Sequence, residues 1–456
     1  MDNNATVSEK LTRIENAVDR IRVATDTENQ VIENVATFVE GHIEKPEAED
    51  NDVIFVDYDG KRLYSYSASD FANLSALPAN PTHEGLTSQG WGWTLEQAKE
   101  YVAMYGMLVL GQFYTTTDGA VRIYVHISDD AKSVKSKFYA CTSGYGNGSA
   151  TIDWGDGTTP DTYNSVGYLN PVSSLTNEAA HTYATGGDYV IKITPDSGNS
   201  VYFTGNLESG TYLLYAATSD QNKIVRDGIT KIEFCSDSNL KDYGVYGLNN
   251  LQYIVSHTEL GNYGSSYVIG RNSSLRCIGT RNSLCSFGGS YVLGYNRDAR
   301  YIYFPYINYT GSYELQTGAF AECLKLEKIC LPQRSSDAQL PLYMFYNCSN
   351  LKRIGITANI TSTGNACFSG CNSLLYLKFP GDITLIGAQC IYGVGSLRVL
   401  DLSNCTQVCE LRQADSISGA PKSLLKIIVP DALYEDWKVA QYWSTYAANI
   451  VKASEA

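Results

Sequence analysis

Two stretches decide the architecture: GAFAECLKLEKICLP, residues 318–332, and ACFSGCNSLLYLKFP, residues 366–380. Each opens on a phenylalanine (Phe320, Phe368) and places Leu six residues on (Leu326, Leu374). Further apolar residues follow at nine and eleven (Ile329 and Leu331; Leu377 and Phe379). Outward from this pair the same phrase opens at Val245, Ile269, Leu293, Phe345, Ile391 and Ile417, giving eight copies. The openers are 24, 24, 27, 25, 23, 23 and 26 residues apart, the period of a leucine-rich repeat. The last copy slips by one residue to Leu424, Ile427 and Val429. One such unit cannot bury its apolar edge alone, so the copies are expected to stack into a solenoid whose long surface suits binding.

The 456 residues leave room for several cores, and the net charge is −14. Residues 1–52 alone contribute −8 of it. An acidic chain without a Lys/Arg block argues against nucleic acid as a partner. Tyrosine is over-used, with 35 copies against 13 Phe. It supplies rigid amphipathic contact area and is also favoured in strands, and the composition leaves both readings open. Of the 12 Cys, Cys323, Cys348 and Cys371 each sit three residues after an opener, and no CxxC occurs. That placement reads as stacked interior thiols rather than disulfides or a zinc site. The N-terminus shows no basic-then-apolar secretory pattern, and no apolar run approaches the length of a membrane span, so synthesis and assembly in a cytoplasm are expected.

Residues 6–43 carry a heptad pattern in which Leu11, Ile14, Val18, Ile21, Ile32, Val35 and Val39 form the apolar seam. A coiled coil, dimeric or trimeric, buries that stripe, as would docking of the helix on another protein. The acidic stretch 44–52 reads as a linker. Five segments result: the helix and linker (1–52), a small α+β module (53–130), a β-sandwich with connector (131–228), the solenoid (229–430) and a helical cap (431–456). In the module, VIFVDYDGKRLYSYS reads as two strands turning at Asp59-Gly60. TLEQAKEYVAMYG reads as a helix, and QFYTTTDGAVRIYVHI as a closing hairpin around Asp118-Gly119.

Three resemblances attach to particular residues. Pro78, Pro81, Thr82, Glu84, Gly85, Gly90 and Trp91 spell a string that resembles the InlB-type B-repeat, which implies a small β-grasp-like unit. Trp154, Gly155, Asp156, Gly157 and Thr158, with His181, Tyr183, Gly187, Tyr189 and Val190, are similar to the paired signatures of a PKD-type domain. This implies an immunoglobulin-like sandwich with Trp154 and Tyr189 in its core, Asp156-Gly157 in a turn, and a spacer or adhesive role. The repeats, closely over Phe320–Pro430 and more weakly before, resemble BspA-type bacterial leucine-rich repeats. Taken in order, the segments look like a structural or tail-fibre protein of a bacteriophage or prophage.

No constellation points to catalysis, a cofactor or a metal. Asp153 and Asp156 fall in the expected turn, Asp57 and Asp59 lack the later ligands of a calcium loop, and the five His are scattered. In each repeat strand the residues at +9 and +11 face inward, so those at +8 and +10 face out. The outward set holds Tyr253, Tyr301, Tyr303, Lys328, Arg353, Tyr376 and Lys378, with Lys426 from the shifted copy. Such an aromatic and basic stripe suits a glycan or an anionic surface polymer, and it is equally the composition of a solvated strand face. The expectation is a non-enzymatic fibre that self-associates through its N-terminal helix. It would join other tail or baseplate proteins on a virion assembled in the host cytoplasm, and bind a host-surface glycan or protein without nucleic acid or membrane insertion. A BspA-like bacterial surface adhesin and a purely architectural virion component are the alternatives.

Overall fold

A computed structural model describes residues 52–136, 138–142, 147–164, 178–203, 213–216, 221–236, 238–240, 243–255, 259–260, 266–279, 290–306, 317–331, 337–357 and 359–456. The chain divides into two compact units, Met1–Asn51 and Asp52–Ala456, and everything described below belongs to the second. The heptad residues Leu11, Ile14, Val18, Ile21, Ile32, Val35 and Val39 lie outside the described residues.

The small module is a three-stranded sheet with Val53–Val56 at its centre. Arg62–Tyr66 pairs antiparallel on one side and Leu108–Gly111 parallel on the other. Gly60 takes φ +82° in the turn between the first two strands, where a Cβ would be strained. The helix Leu95–Tyr105 begins at a full capping box, Thr94 with Gln97, and stops at Gly106, whose left-handed φ of +72° ends the helical hydrogen bonding. Val53–Val56 and Leu108–Gly111 are buried at every position, the mark of strands covered on both faces.

The expected hairpin around Asp118-Gly119 does not form. Tyr114–Thr116 pairs with Leu86–Ser88 inside the module, whereas Val121–Ile127 leaves it to pair with Gly187–Pro195 and Ile229–Glu233. Alternation marks 121–127 as a strand, but it does not say which strand lies beside it.

Val121–Ile127 thereby sits in a six-stranded sheet, in the order Asp161–Asn164, Ser149–Asp153, Gly187–Pro195, Val121–Ile127, Ile229–Glu233, Tyr253–Val255. The first four pairings are antiparallel, and the last is parallel. A second sheet repeats the change: Phe138–Cys141 and Ser200–Phe203 pair antiparallel, and then Ser238–Leu240 and Glu259–Leu260 add in parallel. Both sheets run across the boundary expected at residue 229, and one apolar core continues from Val121 to Ile450. The sandwich segment is therefore the first cap of the solenoid. Within it, Trp154 is buried and Tyr189 half-buried. Asp156 bonds His181 at 2.8 Å, and Trp154 stacks on that imidazole at 5.1 Å.

Each solenoid coil contributes a short parallel strand. Ile278 stands beside Ile302, Ile329 beside Ile354, and Leu377 beside Leu400, which in turn neighbours Ile427. These are the inward +9 positions. Stacked openers form the spine: Phe320, Phe345 and Phe368 lie nearly parallel, 5.2 and 5.5 Å apart. Three residues after the opener comes a ladder of buried donors. The Cys323, Cys348 and Cys371 thiols donate to the carbonyls of Leu293, Phe320 and Phe345, the openers of the preceding coils. In earlier coils Asn272 and Asn296 do the same to Val245 and Ile269. Every described cysteine is buried and unbridged.

The tail closes the far end. Tyr434–Val439 forms a short helix, Trp443–Asn449 a 3-10 turn, and Ile450–Lys452 adds one more parallel strand beside Lys426–Val429. Trp437 and Trp443 are fully buried against each other, and the Trp443 indole donates to the Cys409 carbonyl at 2.6 Å.

Candidate binding face

The outward face of the repeat strands is occupied over its middle coils by the chain's own small module. Leu108–Gly111 lies against Tyr301–Tyr303 and Lys328–Cys330, and one apolar cluster joins Val53–Val56, Trp91 and Tyr101 to Cys277, Tyr301, Tyr303 and Cys330. Three polar side chains in the contact find carbonyl partners. Tyr101 donates to the Leu331 carbonyl, Tyr303 to that of Gln112, and the Trp93 indole to that of Phe304, each at 2.9 Å. The Tyr303 ring lies against two glycines: a Cβ built on Gly111 would meet it at 2.1 Å and one on Gly279 at 2.5 Å.

The expected stripe is therefore broken, and three of its members need correction. Tyr301 and Tyr303 are 3% exposed and Lys328 2%, so none of them faces solvent. Burial pushes both phenols above their ordinary pKa. The Tyr301 hydroxyl instead accepts from Arg62 of the module at 2.9 Å. Tyr253 is half-buried at the module's rim, edge-on to Tyr58 and beneath Arg276.

Arg353 marks the end of the contact. Its guanidinium bonds Asp52 at 2.6 Å and the Gly106 carbonyl, which terminates the module's helix, at 3.1 Å. Burial raises the Asp52 carboxyl, but the Arg353 hydrogen bond, the Ala68 amide and the charges of Arg353 and Lys328 outweigh it, leaving its pKa below the ordinary value.

Beyond Arg353 the strand face opens. A cleft of about 270 Å³ runs between the helix end (Met104, Tyr105, Gly106, Met107) and the strand residues Arg353, Gly355, Tyr376 and Lys378. Tyr376 is 44% exposed, and its hydroxyl donates to Asp401 at 2.8 Å, while the Lys378 ammonium sits 3.2 Å from the same carboxylate. Burial raises Asp401, but Ser403, Tyr376 and Lys378 overcome it, so its pKa is net lowered and the carboxylate is kept charged. Lys426 follows on the same sheet, half-buried. Of the eight predicted residues, the fold thus brings Arg353, Tyr376 and Lys378 together at one cleft. Lys426 extends their face, and the others are withdrawn.

The sequence held a signal for this division that the stripe reading passed over. Outward positions of the covered coils include Cys277, Gly279, Cys330 and Gly355, small residues that admit a close neighbour. In the open coils they include Tyr376, Lys378, Val399, Asp401 and Lys426. Asp57 also proves more than a turn residue. It is buried and accepts from the Tyr58 amide and the Tyr114 hydroxyl, with His83 at 2.8 Å. Among the described residues no cluster of three or more His, Cys, Asp or Glu could hold a metal, and no helix is long and apolar enough to cross a membrane.

Residues 289–411 match the model of the BspA type leucine rich repeat region in six copies. This segment of the solenoid is a BspA-type leucine-rich repeat array. No curated protein matches the chain. Among solved structures, a leucine-rich repeat protein from Bacteroides ovatus ATCC 8483 matches at 16% identity and a TM-score of 0.30, over 55% of this chain. The match spans 61% of that protein's length.

Proposed function

We propose that the protein is a non-enzymatic recognition protein of the BspA-like adhesin kind, and that it binds a cell-surface polymer or protein through the open strand face from Arg353 to Lys426. The observation that carries this reading is the cleft. There a half-exposed tyrosine, two cations and the thioether of exposed Met104 converge on a space the module leaves unfilled. Rigid aromatic surface beside cations is the composition that binding hot spots favour. The partner would lay an apolar face against Met104 and Tyr376, framed by Arg353 and Lys378, which are already paired with Asp52 and Asp401.

The virion setting, with self-association through the N-terminal helix, rests on the order of segments and on the resemblance of residues 154–190 to a PKD-type domain. The matched repeats are of BspA type, which favours the adhesin setting. Immunogold labelling with antibody against the repeat array distinguishes the two. Label on intact bacterial cells supports the adhesin, label at the tip of purified phage tails supports the fibre, and label confined to the cell interior contradicts both. For the site, the double variant Tyr376→Ala/Lys378→Ala should lower the melting temperature, since Asp401 loses two partners, and should reduce adherence of the still-folded chain to its target surface at least tenfold. Undiminished adherence would remove the cleft from the proposal.

A further inference from the structure

The module's contact with the solenoid runs on into the cleft, where it stops one coil short. Four rings pass in a row along the strand ends: Tyr306, Trp93, Tyr101 and Tyr105, with successive centroids 5.1, 5.3 and 4.4 Å apart. Two of them make the same bond in consecutive coils. The Trp93 indole donates to the Phe304 carbonyl and the Tyr101 hydroxyl to that of Leu331, each at 2.9 Å. Phe304 and Leu331 are equivalent residues, each eleven after its opener, Leu293 and Phe320. The module thus sets one aromatic donor on the strand exit of each of these coils.

The next coil interrupts the series. Its equivalent residue is Ile356, eleven after Phe345, and Ile356 lines the cleft. The helix that carries Tyr101 ends at Tyr105, and left-handed Gly106 hands the chain to the strand Leu108–Gly111. Tyr105 therefore closes the row on the helix side of the cleft, and Tyr376, 44% exposed, stands on the strand side. Met104, Met107 and Pro380 add apolar wall. The volume of about 270 Å³ is ample for a ring, since a cavity of about 150 Å³ holds benzene. The rim cations are already engaged, Arg353 by Asp52 and the Gly106 carbonyl, Lys378 by Asp401, so what the cleft offers is shape and apolar contact.

From this continuity we infer that the cleft takes a tryptophan or tyrosine side chain of a protein partner, as the next member of the row. The inference rests on the reading of the open strand face as the binding face, and it names what that face takes hold of. The ring packs against Tyr105 and Tyr376, with the thioethers of Met104 and Met107 at its edge. Its N–H or O–H reaches the strand exit at Ile356, as Trp93 and Tyr101 reach theirs. A glycan is disfavoured, because thioether and aliphatic walls would leave its hydroxyls without hydrogen-bond partners.

The test is methyl NMR of the full chain with isotope-labelled methionine, titrated with N-acetyl-tryptophanamide, N-acetyl-tyrosinamide, N-acetyl-leucinamide and cellohexaose. Met104 and Met107 report on the cleft, and Met344, buried in the solenoid core, is the reference. Both aromatic amides should move the Met104 and Met107 methyl signals and leave Met344 in place. A tryptophan amide methylated on the ring nitrogen keeps the ring and loses the donor, and should need about fivefold more for the same shift. Tyr376→Ala, which removes one wall, should weaken the response by at least as much. Absence of any shift with the aromatic amides would overturn the inference. So would an equal response to leucinamide or to the methylated analogue, an undiminished response of Tyr376→Ala, or shifts with cellohexaose alone. Adherence of Tyr376→Ala/Lys378→Ala judges the underlying reading separately. Adherence lost while the methyl signals stay still would sink the inference and spare that reading, and the reverse pattern would do the opposite.

Discussion

Tyr303 shows how one side chain can join two parts of the fold. Its ring occupies the space left by Gly111 of the module and Gly279 of the solenoid, and its hydroxyl reaches the Gln112 carbonyl. Gly111→Ala would drive a methyl group into that ring. Overpacking of this kind costs about 1–3 kcal/mol, read as a lower denaturant midpoint. Tyr303→Phe, which loses one hydrogen bond and keeps the packing, should cost about 1 kcal/mol. An equal midpoint for Gly111→Ala and wild type would mean that the two glycines do not enclose the ring. The donor ladder gives a second contrast. Asn296 donates to Ile269 and Leu293 and accepts from Asn272, whereas Cys348 makes one weak thiol bond. Asn296→Ala should therefore cost about 1–3 kcal/mol, since it strands buried carbonyls, and Cys348→Ala should cost less.

At the scale of elements, the repeat strands were legible because their inward residues recur at a fixed offset and every strand has the same kind of neighbour. Ile278, Ile302, Ile329 and Leu377 could be placed from spacing alone. The strand Val121–Ile127 was legible as a strand and not by partner, because alternation is a local property and pairing is not. The turn holding Asp156 was also legible. In it the Thr158 hydroxyl, with the His181 hydrogen bond and the Thr158 amide, holds the Asp156 carboxyl down to about 2. A folded-state pKa below the unfolded value contributes stability that is present above the unfolded value and is lost as pH falls through about 2. Asp156→Asn should thus be less stable than wild type at neutral pH, with the gap closing between about pH 4 and pH 2 in acid-unfolding curves. A gap that stayed constant over that range would show that the carboxylate's charge is not what matters there.

For the whole molecule, the main departure from the sequence reading is that the small module is not a bead on a string but a cover on the repeat strands. Docking of separate segments depends on shape across residues hundreds of positions apart, and the stripe reading treated outward as exposed. The clues were the apolar runs VIFV and LVLG, too apolar for one-sided strands, and the small residues Cys277, Gly279, Cys330 and Gly355 at outward positions of the middle coils. On the strand face, the uncovered outward positions are thereby confined to the coils from Arg353 onward. The most direct test is alkylation of the native full chain with iodoacetamide, with each cysteine quantified by mass spectrometry. Cys323, Cys348 and Cys371 lie inside the coils and serve as the internal reference, while Cys277 and Cys330 point outward and are shielded by the module. Burial raises the thiols of all five, Cys323 and Cys330 to about 12, so thiolate is scarce while the cover holds. The account predicts that Cys277 and Cys330 stay as protected as the interior three until the chain unfolds. Rapid modification of Cys277 and Cys330 while Cys323, Cys348 and Cys371 remain intact would contradict it.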